Sequence, residues 1–137
     1  MLSRKPHQDF IVGQVAIVVA RRDNARRAAA VSCSELRQYK VRPGKMAEWL
    51  KIMEEEIVPF QVAKGVVITG SYRGETDDSV YVWMRRFESE AQREALYKAV
   101  YESDHWKKEI APRIPDLLDR EKMVVTRITP TTRSTAQ

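Results

Sequence analysis

The chain has 137 residues, 43% hydrophobic and 31% charged, which suits one soluble domain with a real core and excludes both a disordered chain and a membrane-embedded one. A net charge of +5 and a pI near 9.5 suggest a nucleic-acid binder until the charge is placed along the chain. Residues 1–33 carry Arg4, Lys5, Arg21, Arg22, Arg26 and Arg27 against Asp9 and Asp23, a surplus of +4, which leaves the remainder at +1 with signs interspersed and without a footprint for a phosphate backbone.

Within that leader, Phe10 to Ala20 is an apolar run, shorter than the roughly 20 residues a bilayer span needs. Arg4 and Lys5 before it and Ala28-Ala29-Ala30 after it have the flavour of a secretory signal, but five charged residues separate the run from the alanines. An Arg-rich mitochondrial presequence is a further alternative. The main reading is that residues 1–33 form a basic, unstructured extension. Cys33 is the one cysteine, so no internal disulfide forms and a reducing compartment, the cytoplasm, is expected. With His7 and His105 the only histidines, no metal site is expected.

From Ser34 the pattern is regular. Ser34 to Arg42 alternates, with Glu35, Arg37, Tyr39 and Val41 on one face and Leu36, Gln38 and Lys40 on the other, and Pro43-Gly44 ends the strand. Met46, Leu50, Met53, Ile57 and Phe60 trace the apolar stripe of a helix, with Glu54, Glu55 and Glu56 on its solvated side and Pro59 expected to kink it or end its regular part. Val66–Gly74 and Ser79–Phe87 read as a hairpin about the polar turn Glu75 to Asp78. A second helix, capped by Ser89, is predicted to Tyr101, with an interruption at Ser103-Asp104 and a further turn around Trp106 and Ile110. Lys122–Thr129 is the last strand, and residues 131–137 are a polar tail.

The order βαββαβ over residues 34–130 predicts an α+β, ferredoxin-like fold with a four-stranded antiparallel sheet. Its strands are apolar on both faces (Tyr81, Trp83 and Phe87 on one, Val80, Val82 and Met84 on the other), and two helices cover only one. A homodimer closing a dimeric α/β barrel is therefore expected.

Three segments together resemble the NIPSNAP family: Glu35-Leu36-Arg37-Gln38-Tyr39 with Arg42-Pro43-Gly44-Lys45, then Tyr81 through Ser89 followed by Arg93, then Tyr101-Glu102-Ser103-Asp104-His105-Trp106-Lys107. The resemblance covers about residues 34–130 and implies the same dimeric barrel. It implies little about activity, since the family has no agreed reaction. Relatives in the wider superfamily include cofactor-free monooxygenases, isomerases and haem-handling enzymes, and eukaryotic members are associated with mitochondria.

Glu35, Arg37 and Tyr39 on one strand, with Tyr81, Trp83 and Arg85 on another, could line the barrel as a small-molecule site, Arg pairing a negative charge and Trp83 stacking on a planar body. The blander reading is a Glu–Arg bridge to Arg85 or Arg127 and ordinary core packing. His105, alone in the domain, and Tyr39 are the weak candidates for proton transfer, although Ser103-Asp104-His105 is no triad. No phosphate loop, flavin, nicotinamide or metal fingerprint is present, so no cofactor is expected and any reaction would be cofactor-independent or use a group such as haem that leaves little signature. The expected function is a homodimer binding a small organic molecule. The alternatives are a cofactor-independent monooxygenase or isomerase on a polycyclic or polyketide-like substrate, and a protein-interaction module.

Overall fold

The computed structural model describes residues 32–136. The expectations for residues 1–31, the apolar run and the leader among them, lie outside the described residues. In chain order the elements are β1 (Cys33–Val41), α1 (Met46–Ile52), a π-helical turn (Met53–Ile57), α2 (Val58–Lys64), β2 (Val67–Arg73), β3 (Val80–Phe87), α3 (Glu90–Tyr101), a second π-helical turn (Trp106–Ile110), a 3-10 helix (Ala111–Asp116) and β4 (Leu118–Ile128). The strands form one antiparallel sheet in the order β2-β3-β1-β4, the ferredoxin-like arrangement. The sheet is open, with β2 and β4 at its edges, so a single chain closes no barrel.

The alternation in β1 and β3 decides which side chains meet the helices. Glu35, Tyr39, Val41, Tyr81, Trp83, Arg85 and Phe87 are buried on the helix side, with Arg37 among them, while Gln38, Lys40 and Val80 are exposed on the other. Glu35, Arg37 and Tyr39, the strand face singled out for a ligand site, thus lie under the chain's own helices. The main core joins these strands to Trp49, Met53 and Ile57 of the first helical stretch and to Ile110, Leu117 and Leu118.

Pro59 does not break the first helix. Backbone angles stay helical through Ile57 and Val58, so the stretch is continuous, but its regular α part ends at Ile52 and gives way to the π turn just ahead of Pro59. The wider π turn just before it accommodates the ring, which in a regular α-helix would strike the carbonyl four residues back. Gly65, at φ 104°, ends α2 by sending its N–H to Val62 O and the Val66 N–H to Gln61 O, a paired closure that favours glycine. Ser89 caps α3 by accepting the Gln92 N–H at 3.1 Å, as expected. Ser103 then donates to Val100 O and accepts the Trp106 N–H, which starts the second π turn.

β4 starts four residues earlier than expected, because Leu118 pairs with Val41 and the Arg42 N–H binds Leu117 O. The pairing with β1 then slips: Lys40 opposes Asp119 but Gln38 opposes Val124, so residues 120–123 bulge out of the ladder.

The β2–β3 turn is tight. Asp77 accepts both the N–H and the hydroxyl of Ser79, which lowers its pKa, and a Cβ at Gly74 would lie 2.2 Å from Asp77 O. Gly74→Ala is expected to cost about 1–3 kcal/mol, read as a lower urea midpoint. An unchanged midpoint would contradict this geometry.

Candidate functional site

Antiparallel register sets Glu35 opposite Arg85, Arg37 opposite Trp83 and Tyr39 opposite Tyr81. Arg85 is 1% exposed and finds four acceptors: Gln61 Oε1 at 2.9 Å, the Tyr101 hydroxyl at 2.8 Å, the Tyr97 hydroxyl at 3.0 Å and Glu35 Oε1 at 3.3 Å. Trp83, Phe87, Tyr97 and Tyr101 surround its guanidinium at 5.0–5.7 Å. Tyr97 and Tyr101 reach it together because residues four apart share one face of α3. The Tyr97 hydroxyl is fully used, accepting from Arg85 and from Arg37 Nη2 and donating to Glu35 Oε2.

Arg37 stands beside this cluster. Its Nη1 donates to the Tyr39 hydroxyl at 2.7 Å, its Nη2 to Tyr97 at 3.2 Å, and its Nε lies 3.7 Å from Glu35 Oε2. Burial opposes its charge, but Tyr39, Tyr101 and Tyr97 outweigh that and raise its pKa.

Next to Arg37 a cavity of about 300 Å³ opens between sheet and helices, at the lower end of the range for ligand pockets. Arg37, Tyr39 and Trp83 form its sheet side. Trp49, Met53 and Ile57 wall it from the first helical stretch, Tyr97 and Tyr101 from α3, and Trp106 from the second π turn. Both π turns thus supply lining residues, and the bulge in β4 supplies Arg120 and Met123. Among the described residues no group of three His, Cys, Asp or Glu side chains is placed to hold a metal ion.

Of the six residues expected to bind a ligand, Arg37, Tyr39 and Trp83 line the cavity. Glu35 and Arg85 sit one layer behind it and hold Tyr97 and Tyr101. Tyr81 is core: its hydroxyl bonds Ser71 and its ring meets Trp49 edge-on. His105 is exposed, its ring tilted against Phe60 at 4.8 Å and outside the cavity lining, so the structure does not bring it to Tyr39. Arg127 pairs with Glu90 rather than with Glu35. Sequence reasoning passed over Gln61, Tyr97, Trp49 and Arg120. The four-residue spacing of Tyr97 and Tyr101 was the readable signal, as was Gln61 four residues beyond Ile57 on an otherwise apolar face.

The NIPSNAP family model matches residues 34–133, nearly all of the described domain. The chain belongs to the NIPSNAP family. Among solved structures, a NIPSNAP family protein from Agrobacterium tumefaciens is 26% identical, with a TM-score of 0.68 over 77% of this chain and 99% of that one. A second A. tumefaciens NIPSNAP family protein, of unknown function, shares the fold at 20% identity (TM-score 0.70, 79% and 96% covered). So does a NIPSNAP-like domain protein from Burkholderia xenovorans at 19% (0.68, 77% and 90%). No curated protein matches the chain. The three NIPSNAP-like segments lie on β1 and its turn, on β3 and the α3 cap, and on the end of α3 and the second π turn, and all three send side chains to the cavity or the cluster behind it.

Arg85→Met strands Glu35 in the core and is expected to cost about 3–5 kcal/mol in urea unfolding. Adding Glu35→Leu should return most of that stability, and a double variant as weak as the single one would show that the pair is not the coupled unit. Tyr39, Tyr81 and Tyr97 all have raised pKa values, burial being the main cause, with Tyr81 pushed up to about 12. The folded chain keeps protons that unfolded tyrosines release near pH 10, roughly, so stability should be full below that pH and fall as pH rises toward 12. A flat urea midpoint across that window would contradict it.

Proposed function

We propose that this NIPSNAP protein works as a homodimer that holds a small organic molecule in the cavity between the sheet and the helices of each copy. The observation that carries the binding reading is the cavity itself, about 300 Å³ walled by aromatic rings with a fixed guanidinium at its edge. A packed interior would have favoured an interaction module instead. The enzyme alternative relied on His105 or Tyr39. His105 is off the cavity, and burial keeps the Tyr39 phenol protonated as a donor rather than a base.

The dimer reading rests on the sheet face that no described helix covers. Leu36, Val82 and Met84 are half-buried there, and Val80 and Val124 are 39% and 51% exposed. An apolar face on an antiparallel sheet is satisfied by a second sheet at about 10 Å. Cys33, free and buried, fits a reducing compartment such as the cytoplasm. No helix among the described residues is long and apolar enough to cross a membrane.

Native mass spectrometry of the full chain is expected to give a dimer carrying a non-covalent organic adduct that disappears on denaturation. Val82→Lys should convert the dimer to a folded monomer. A wild-type monomer at micromolar concentration, without aggregation, would sink the dimer. An adduct-free protein that no small aromatic compound stabilises thermally would sink the binding reading.

A further inference from the structure

The hydrogen-bonding groups around the cavity are unbalanced. Its lining includes no Asp, Glu, Asn, Gln or His. The acceptors it does present are tyrosine hydroxyls, each already accepting: Tyr39 from Arg37, Tyr97 from both Arg37 and Arg85, and Tyr101 from Arg85. Donors remain over. Trp49 Nε1 is buried without a hydrogen-bond acceptor, and Arg37 Nε has none nearer than Glu35 Oε2, at an ion-pair distance of 3.7 Å. Buried donors without acceptors are costly, and a molecule bringing acceptors removes that cost.

The charges are unbalanced in the same direction. Two guanidiniums, Arg37 and Arg85, share one carboxylate, Glu35. Glu35 is committed to Arg85 through Oε1 and to Tyr97 through Oε2, while the groups Arg37 hydrogen-bonds are neutral phenols. Its side chain is 14% exposed, so the surplus positive charge lies where water screens it poorly. Arg120, exposed at the bulge in β4, adds a second positive charge to the lining. The rest of the wall, chiefly Trp49, Trp83, Trp106 and the Tyr39 ring, offers flat apolar surface and room for one or two fused rings.

We infer that the cavity selects an organic anion, a planar apolar body bearing one carboxylate-type group that pairs with Arg37 while its rings lie among the tryptophans. Arg37 and Arg120 repel a cationic ligand, and a neutral one leaves the surplus charge unpaired. This inference rests on the reading that the cavity binds a small molecule, and the test separates the two.

The probes are 1-naphthoate, the isosteric neutral 1-naphthamide and the cation 1-naphthylmethylammonium, titrated calorimetrically into the full-length dimer. Naphthoate is expected to bind roughly tenfold or more tighter than the amide, and the cation weakest. Arg37→Met should bring naphthoate down to the level of the amide, so that the preference between the two is lost while both still bind among the rings. Arg37→Lys, keeping the charge but not the fork, should retain part of the preference. Arg120→Ala, at an exposed position, should lower naphthoate affinity a few-fold and reduce its salt dependence even if Arg37→Met fails to fold. Equal or better binding of the amide would overturn the anion inference and leave the cavity reading standing. Failure of all three probes to bind would overturn both.

Discussion

A guanidinium shut away from water must find its acceptors inside the protein, and Arg85 draws on three parts of the fold to do so. Glu35 comes from β1, Gln61 from α2, and Tyr97 and Tyr101 from α3. One side chain on β3 thereby ties both α2 and α3 to the sheet. Burying such a charge is tolerable only when its partners are all in place, so the cluster favours one arrangement of helices over sheet and penalises the rest. Arg85 also leaves its own Nε without a partner, a residual cost offset by the four rings around it.

The cavity follows from that arrangement. Tyr97 and Tyr101 are held by Arg85 and so cannot swing in to fill the space beside Arg37. The π turns do the rest from the helical side, turning Met53, Ile57 and Trp106 toward the same space, and residues 120–123 bulge over it from the edge strand. The polar and aromatic chemistry is collected under the helices, and the opposite sheet face carries the apolar side chains on which the proposed dimer rests. In the proposed dimer the two roles fall on different faces of one sheet, so each copy carries a complete cavity of its own.

Much of this was legible in the residues. Alternation in Ser34–Arg42 and Ser79–Phe87, the Ser89 cap and the βαββαβ order identify the strands, the helix and the fold, because each is a local signal. Arg37, Tyr39 and Trp83 could be singled out from strand periodicity alone. The partition between cavity wall and supporting layer could not, since it depends on how far each side chain reaches once the helices are docked. Pro59 illustrates the same limit: its effect on a regular helix is known, but the π turn that absorbs it is a tertiary accommodation. Arg120 was hidden because a slip in strand pairing leaves no mark in hydrophobic periodicity, and Trp49 because the buried stripe of the first helix is turned from the one traced through Leu50 and Phe60.

The most direct measurement is a crystal structure of the full chain grown with 1-naphthoate. Two copies should meet sheet to sheet, with ligand density in each between the sheet and its own helices and the carboxylate within about 3 Å of Arg37. Density confined to the space between the two sheets, or an empty cavity beside Arg37 at saturating ligand, would contradict the placement of the site on the helix side.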